Sequence, residues 1–339
     1  MSQQKLILPR LFIVSPCYNE EEVLPETISR LTAILKHLVR DNLIKSNSGM
    51  LFVDDGSRDN TWSIIHQYNK SNPFVCGLKL ARNAGHQNAL LAGLMAAKEE
   101  ADIVISIDAD LQDDLDVIRQ FILEYSKGYD IVYGVRKSRE TDTIFKRTTA
   151  LAFYRLMEKM GVNVVYNHAD YRLLSKRVLD NLDRFEEVNL FLRGLIPLIG
   201  YKSTNVFYDR QERFAGESKY PLKKMLSFAF EGITSFSVKP IRFITTIGFA
   251  LSVLSVVMAS YALVQKLIGN VISGWASIMI SIWFIGGIQL ISLGLIGEYV
   301  GKIYKETKRR PRYIVDERLS SFSSINGEEI KNRELVYHK

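Results

Sequence analysis

Cysteine is nearly missing from this chain. Cys17 and Cys76 are the two among 339 residues, far apart and in no metal or redox spacing. A disulfide framework and a cysteine metal site are thereby excluded, and two free thiols in a reducing cytoplasm are the expectation. No internal repeat and no low-complexity tract is present. Residues 1–10 lack the long apolar core and small-residue cleavage site of a secretory signal, so none is expected. Stacked aromatics interleaved with a basic groove are also lacking, so nucleic acid is not an expected partner despite a net charge of +7.

The hydrophobic share of 47% and charged share of 24% are ordinary, but the averages hide a split. The first part is mixed and charge-rich, whereas two stretches after Pro240 are almost uncharged: Phe243 to Val264 and Ile278 to Ile296. Each approaches the roughly 20 apolar residues that cross a bilayer, and neither shows the polar stripe of a soluble core helix. The connecting loop carries only Lys266. Lys223, Lys224, Lys239 and Arg242 precede the first span, and Lys302, Lys305, Lys308, Arg309, Arg310 and Arg312 follow the second. The positive-inside rule then puts both large flanks in the cytoplasm, around a multi-pass hairpin in the inner (plasma) membrane. The basic collars point to anionic lipid headgroups as partners. Gly286, Gly287, Gly294, Gly297 and Gly301 leave smooth helix faces and Gln289 favours burial against a polar partner, so a homo-oligomer is expected.

Ahead of the spans, short apolar runs alternate with helical stretches. Strands are expected at 11–14, 51–53, 75–80, 103–107 and 131–133, with helices at 21–40, 60–69, 87–99 and 115–125. That alternation predicts an α/β domain, a Rossmann-like mainly parallel sheet with helices on both faces. Helical patterning continues at 145–159 and 178–199. Residues 219–237 mix Leu, Met and Phe with Lys and read either as an interfacial helix or as one packed on the domain. The domain plan is a catalytic part at 1–215, a loop and interfacial helix at 216–240, a hairpin at 241–300 and a basic tail at 301–339, where Tyr313–Val315 is able to add a strand.

Three expected strands end in polar groups. The first runs into Ser15-Pro16-Cys17-Tyr18-Asn19-Glu20, the second into Asp54-Asp55-Gly56-Ser57, and the fourth into Asp108 and Asp110. Ligands of open α/β sheets bind beyond the carboxyl ends of the strands. Two hard oxygen donors that close suit Mg²⁺ or Mn²⁺, which takes the rest of its shell from water and phosphate. The plainer alternatives are an Asp-rich solvated turn and an Asx-capped turn. Tyr18 is placed either to stack on a base or to pack. His86 and His168 have no metal spacing with a carboxylate and read as loop histidines.

The segments PCYNEEE, VDDGSRDNT, LARNAGHQNALLAG and DADLQDD, followed by GVR (Gly134 to Arg136), ADYRLLS from Ala169 and RFAGESKYP from Arg213, together resemble the GT-A domain of glycosyltransferase family 2. With the hairpin and GEYVGKIYKETKRRPRY from Gly297, the likeness extends to the polyprenyl-phosphate glycosyltransferases, especially the bactoprenol glucosyltransferases, and covers about residues 10 to 315.

That resemblance implies hexose transfer from a nucleotide sugar, UDP-glucose in the leading reading, to undecaprenyl (polyprenyl) phosphate. It places nucleotide-sugar contacts on Pro16, Tyr18, Glu20, Val53, Asp55, Asp108, Ala109, Asp110, Arg136, Arg213 and Lys219, and metal ligands on Asp108, Asp110 and Gln112. Asp110 and Arg213 are implied in catalysis with Asp170, which serves as base, as an orienting group for Arg172 and the acceptor, or merely as a helix cap. Arg213 and Lys219 clamp either the donor diphosphate or the acceptor phosphate. The family's Pro-bearing turn after the Gln is here Asp113-Asp114, which predicts a looser turn. Gln211-Glu212-Arg213-Phe214 departs from the Q-x-x-R-W motif of processive synthases, which disfavours polymer synthesis. Another sugar (GDP-mannose, a UDP-N-acetylhexosamine or an aminopentose donor) and an inert membrane scaffold are the alternatives.

Overall fold

A computed structural model describes residues 8–137, 168–209, 234, 237–268 and 274–320. The expectations for 145–159, for Arg213 and Lys219 and for most of 219–237 lie outside those residues.

One compact unit holds an eight-stranded sheet, and a second holds the two long apolar helices. The strands are β1 (Leu11–Cys17), β2 (Gly49–Asp54), β3 (Val75–Leu80), β4 (Ile103–Ser106), β5 (Ile131–Arg136), β6 (His168–Ser175), β7 (Ser203–Tyr208) and β8 (Val315–Leu319). Their order in the sheet is β7-β5-β6-β4-β1-β2-β3-β8. Only β6 and β8 run against the others, so the expected mainly parallel sheet is present. β1 and β2 are buried along their whole length, which is why they read as continuous apolar runs.

Helices α1 (Leu24–Arg40), α2 (Thr61–Ser71), α3 (His86–Lys98) and α4 (Val117–Ser126) connect the strands. Helix α1 shows why the pattern is legible: Leu24, Ile28, Leu31, Leu35 and Leu38 fall on one face and are all buried. Helices α1, α2 and α4 cover one side of the sheet, in a core shared with Ile13, Phe52, Ile105 and Leu173. Helix α3 covers the other side, packed on β1, β2 and β4. The stretch with helical patterning at 178–199 holds two short helices, α5 (Lys176–Leu182) and α6 (Leu192–Leu198), separated by an irregular run. The end of the chain beyond the hairpin returns to the first unit, where β8 pairs antiparallel with β3 and Trp62 Nε1 donates to Glu317 at 3.1 Å.

In the second unit, α7 (Lys239–Leu267) and α8 (Trp275–Thr307) contain both expected spans. Lys239–Met258, with a mean hydropathy of 2.0, and Phe284–Thr307, with 1.4, are long and apolar enough to cross a membrane. Phe249, Leu254, Leu290 and Ile291 on these helices are exposed. Near the polar ends, the Tyr299 hydroxyl donates to the Ser237 carbonyl and Lys302 Nζ donates to Thr234 Oγ1, both at 2.5 Å.

Candidate active site

β4, β1 and β2 are neighbours and parallel, so the three polar strand ends emerge side by side on one sheet edge. Pro16 lies opposite Val53, and Asp55 donates its N–H to the Cys17 carbonyl at 2.9 Å. The loops beyond are laced together: Asn19 N–H donates to Ser57 Oγ at 3.0 Å, Arg58 N–H to Asn19 Oδ1 at 2.9 Å, and Glu20 N–H to Thr61 Oγ1 at 2.9 Å. Gly56 has φ +69°, and a Cβ there would lie 2.7 Å from the Asn83 nitrogen, so the turn admits only glycine. Tyr18 is exposed beside it.

Asp55 is buried, and both its oxygens accept backbone N–H groups, Oδ1 from Ala84 at 2.6 Å and Oδ2 from Gly85 at 3.0 Å. Burial lifts its carboxyl above the usual range, and those two bonds offset part of the rise. The carboxylate thus fixes the loop that delivers His86 at the start of α3.

Asp108 and Asp110 occupy the turn after β4. Ala109 is buried, with its carbonyl accepting from Thr27 Oγ1 at 2.8 Å. Leu111 has a left-handed φ of 56°, and Gln112 N–H donates to Asp110 Oδ1 at 3.2 Å. A non-glycine residue in that region is strained and persists where its surroundings fix it. The fixing comes from Asp113 and Asp114. The Tyr208 hydroxyl and Arg136 Nη2 both donate to Asp113, and the Tyr171 hydroxyl donates to the Asp114 carbonyl at 3.0 Å. The turn expected to be loose for want of proline is held by buried polar contacts.

β6 lies between β4 and β5, and pairing Arg172 with Ser106 brings Asp170 level with Asp108. The Asp170 carboxylate accepts hydrogen bonds from Arg172 Nη2 and from Arg193, at 3.3 Å from Nε and 3.0 Å from Nη2. Burial alone would raise its carboxyl, but the Arg193 and Arg172 guanidiniums reverse the effect and hold it well below the usual range. Gln87 Oε1 accepts the Leu192 N–H at 3.0 Å, which ties the start of α3 to the segment bearing Arg193.

His86, read from sequence as a loop histidine, belongs to this group. Its Nε2 is 3.7 Å from Asp108 Oδ1 and 3.5 Å from Asp170 Oδ2. Burial lowers the imidazole, but Asp170 and Asp108 outweigh it and leave the group above its ordinary value. Arg193 does not stand out from sequence, and His86 is discounted there as a loop histidine. The readable signals were a histidine directly after a glycine at a strand–helix junction, and one arginine inside the apolar run 190–196.

Among the described residues, no three His, Cys, Asp or Glu side chains form a group able to hold a metal ion. The donor set nevertheless fits a hard cation that completes its shell from a ligand's phosphates. Burial pushes the Asp108 carboxyl up to about 6; His86 offsets this, and the charges of Asp170, Asp113 and Asp110 add to it. With 34% of its side chain exposed, Asp108 is a carboxylate open on one side and only partly offset by His86, and a divalent cation would relieve its charge.

Comparison with known proteins agrees with this geometry. Residues 12–183 match the model "Glycosyl transferase family 2", and residues 239–303 match "GtrB C-terminal hairpin". The uncharacterized glycosyltransferase YkoT of Bacillus subtilis (strain 168) is 61% identical over 91% of both chains. The prophage bactoprenol glucosyl transferase homolog of Escherichia coli (strain K12) is 38% identical, over 90% of this chain and 98% of its own. The bactoprenol glucosyl transferase of Shigella phage SfV is 39% identical over the same shares. A mainly parallel sheet with acidic strand ends, followed by an apolar hairpin, is thus the frame of a GT-A glycosyltransferase, and the chain belongs to glycosyl transferase family 2.

Proposed function

We propose that this enzyme moves glucose from UDP-glucose to undecaprenyl (polyprenyl) phosphate at the cytoplasmic face of the inner membrane, with α7 and α8 as its two spans. The observation that carries the reading is the match to bactoprenol glucosyl transferases over 90% of the chain together with the C-terminal hairpin. Such an acceptor keeps its tail in lipid and its phosphate at headgroup height, which gives the apolar helices and basic collars a purpose. A homo-oligomer packed through the glycine face of α8 belongs to the same reading, and crosslinking in native membranes that finds only monomer would refute it.

In the reaction the bond from the anomeric carbon to the donor diphosphate breaks, and the nucleoside diphosphate leaves with the electron pair. An acceptor phosphate oxygen forms the new bond from the opposite face, turning an α-linked donor into a β-linked product. Phosphomonoesters lose their second proton near pH ~6, so the attacking oxygen has no proton to surrender at neutral pH. A strong general base is unnecessary, and Asp170, clasped by Arg172 and Arg193, acts by orienting those guanidiniums and not as a base. Asp108, Asp110 and the amide of Gln112 would hold Mg²⁺ or Mn²⁺, which when bound stabilises charge on the departing diphosphate as a Lewis acid. Pro16, Tyr18, Glu20, Val53, Asp55 and Ala109 surround the nucleotide. Carboxylate oxygens accept more than one hydrogen bond, so Asp55 serves both its loop and the ligand. Arg136 receives a phosphate, and Arg213 and Lys219 close over the donor diphosphate.

The test is incubation of membranes bearing the protein with labelled UDP-glucose, undecaprenyl phosphate and Mn²⁺. The expected result is lipid-extractable label that disappears with EDTA and in Asp110→Asn. Label from GDP-mannose alone would overturn the sugar assignment.

A further inference from the structure

Asp113 is a departure point from ordinary packing. Only 1% of its side chain is exposed, yet Oδ2 is buried with no hydrogen-bond partner. Its Oδ1 accepts from the Tyr208 hydroxyl at 2.5 Å and from Arg136 Nη2 at 3.0 Å, and Arg136 Nε donates to the same hydroxyl at 3.2 Å. The triangle spans three segments, because Arg136 and Tyr208 face each other at the ends of the parallel pair β5 and β7, while Asp113 directly follows the Asp108–Gln112 turn. A buried carboxylate with an orphan oxygen is a costly brace, and an apolar residue of similar volume would serve bracing alone as well or better. What a carboxylate adds is a charge-assisted grip on a guanidinium.

We propose that Asp113 is the positioning residue of this centre, holding Arg136 and the Asp108–Gln112 turn in one register so that the cation site and the phosphate-binding guanidinium are presented together. The turn needs such a support, since Leu111 is strained and Asp113-Asp114 stands where the family resembled has a Pro-bearing turn. Arg136 in turn gains a fixed direction at the sheet edge where the acidic strand ends emerge. The inference rests on the reading that this turn binds a divalent cation, and it is independent of which sugar is transferred.

The experiment compares the full-length protein with Asp113→Asn, Tyr208→Phe, Arg136→Gln and the double variant Asp113→Asn/Arg136→Gln. Mn²⁺ binding is read by electron paramagnetic resonance of the free ion without donor or acceptor, alongside transfer kinetics and Tm. Groups that support metal ligands typically change affinity or activity by about 10- to 100-fold, and a loss of that order in Mn²⁺ binding is expected for Asp113→Asn. Tyr208→Phe, which keeps the ion pair, should show a smaller loss than Asp113→Asn. At saturating Mn²⁺, where the cation site is filled in every form, the double variant should transfer no more slowly than Arg136→Gln, because a residue that acts through another adds nothing once that other is gone. Parental Mn²⁺ affinity in Asp113→Asn with a lowered Tm, or kinetic losses at saturating Mn²⁺ that multiply in the double variant, would reduce Asp113 to a structural brace. Should Asp113→Asn fail to fold, parental Mn²⁺ affinity in Arg136→Gln, which removes the ion pair from its other side, overturns the proposal by itself. A wrong donor or acceptor would abolish transfer in every form, the parent included, and leave the Mn²⁺ comparison standing.

Discussion

His86 Nε2 stands 3.7 Å from Asp108 Oδ1, although the two side chains come from different strand–helix junctions. The same nitrogen is 3.5 Å from Asp170, so one imidazole spans the proposed cation ligand and the arginine-bound carboxylate. His86 side-chain exposure is 45%, which means that its loss leaves the core untouched. His86→Ala is expected to cut kcat by about 10- to 100-fold, as for other groups that orient metal ligands, with Tm close to the parent's. Parental turnover in His86→Ala would remove it from the site.

Cation binding should weaken as the medium becomes acidic. The Asp108 carboxyl is pushed up to about 6, so below that pH it holds a proton that a cation must displace. Above it, the carboxylate is ready and affinity levels off. Mn²⁺ titrations across that range should show the fall on the acid side, and Asp108→Asn should bind weakly with no such slope. An unchanged affinity well below pH 6 would show that Asp108 does not ligate.

Much of this architecture was readable, and each failure has a physical cause. β1 to β5 announce themselves as short apolar runs, and α1 by apolar residues that share one helical face. β6 did not, since its sequence HADYRLLS puts Asp170 and Arg172 among apolar neighbours, and a pattern reading treats charge as exposed. The two charges are buried because Asp170 is held by Arg172 and by Arg193 from a distant segment, which is a tertiary fact. β7 escaped for the opposite reason: most of its residues lie at or near the surface. The acidic strand ends were legible because β4, β1 and β2 bring them to one edge, whereas His86 and Arg193 arrive there only through the Asp55 and Gln87 contacts.

Removing the Asp170 charge should cost stability. Arg172 is fully buried, and its Nε and Nη1 already lack partners, so Asp170→Asn leaves an uncompensated interior cation. Breaking such a pair from one side typically costs about 3–5 kcal/mol, measurable by denaturant titration. The folded carboxyl lies below its unfolded value of ~3.9, so this stabilisation is present above that pH and fades as pH falls through the folded value. The rate profile near neutrality should contain no ionisation from Asp170. A limb near neutral pH that vanishes in Asp170→Asn would restore it as a general base.

Gly93 marks where α3 lies against the strands that bear the site. A Cβ there would come 2.4 Å from Val14 Cγ1 and 2.6 Å from Val53 Cγ2. Both contacts are short β-branched side chains on buried central strands and have little room to rotate. Gly93→Ala must therefore push α3 outward or shift Val53, at a cost of about 1–3 kcal/mol, as overpacked cores show. Because α3 begins with His86, and Val53 directly precedes Asp54 and Asp55, either movement reaches the site. The expected outcome is a lowered Tm together with a raised KM for the donor. Gly128→Ala separates crowding from backbone strain, since Gly128 has a positive φ, of 89°, which Gly93 lacks, and nothing lies within 4 Å of its added Cβ. It should lower Tm modestly and leave the donor KM alone, whereas a parental donor KM in Gly93→Ala would show that α3 does not set the geometry of the nucleotide pocket.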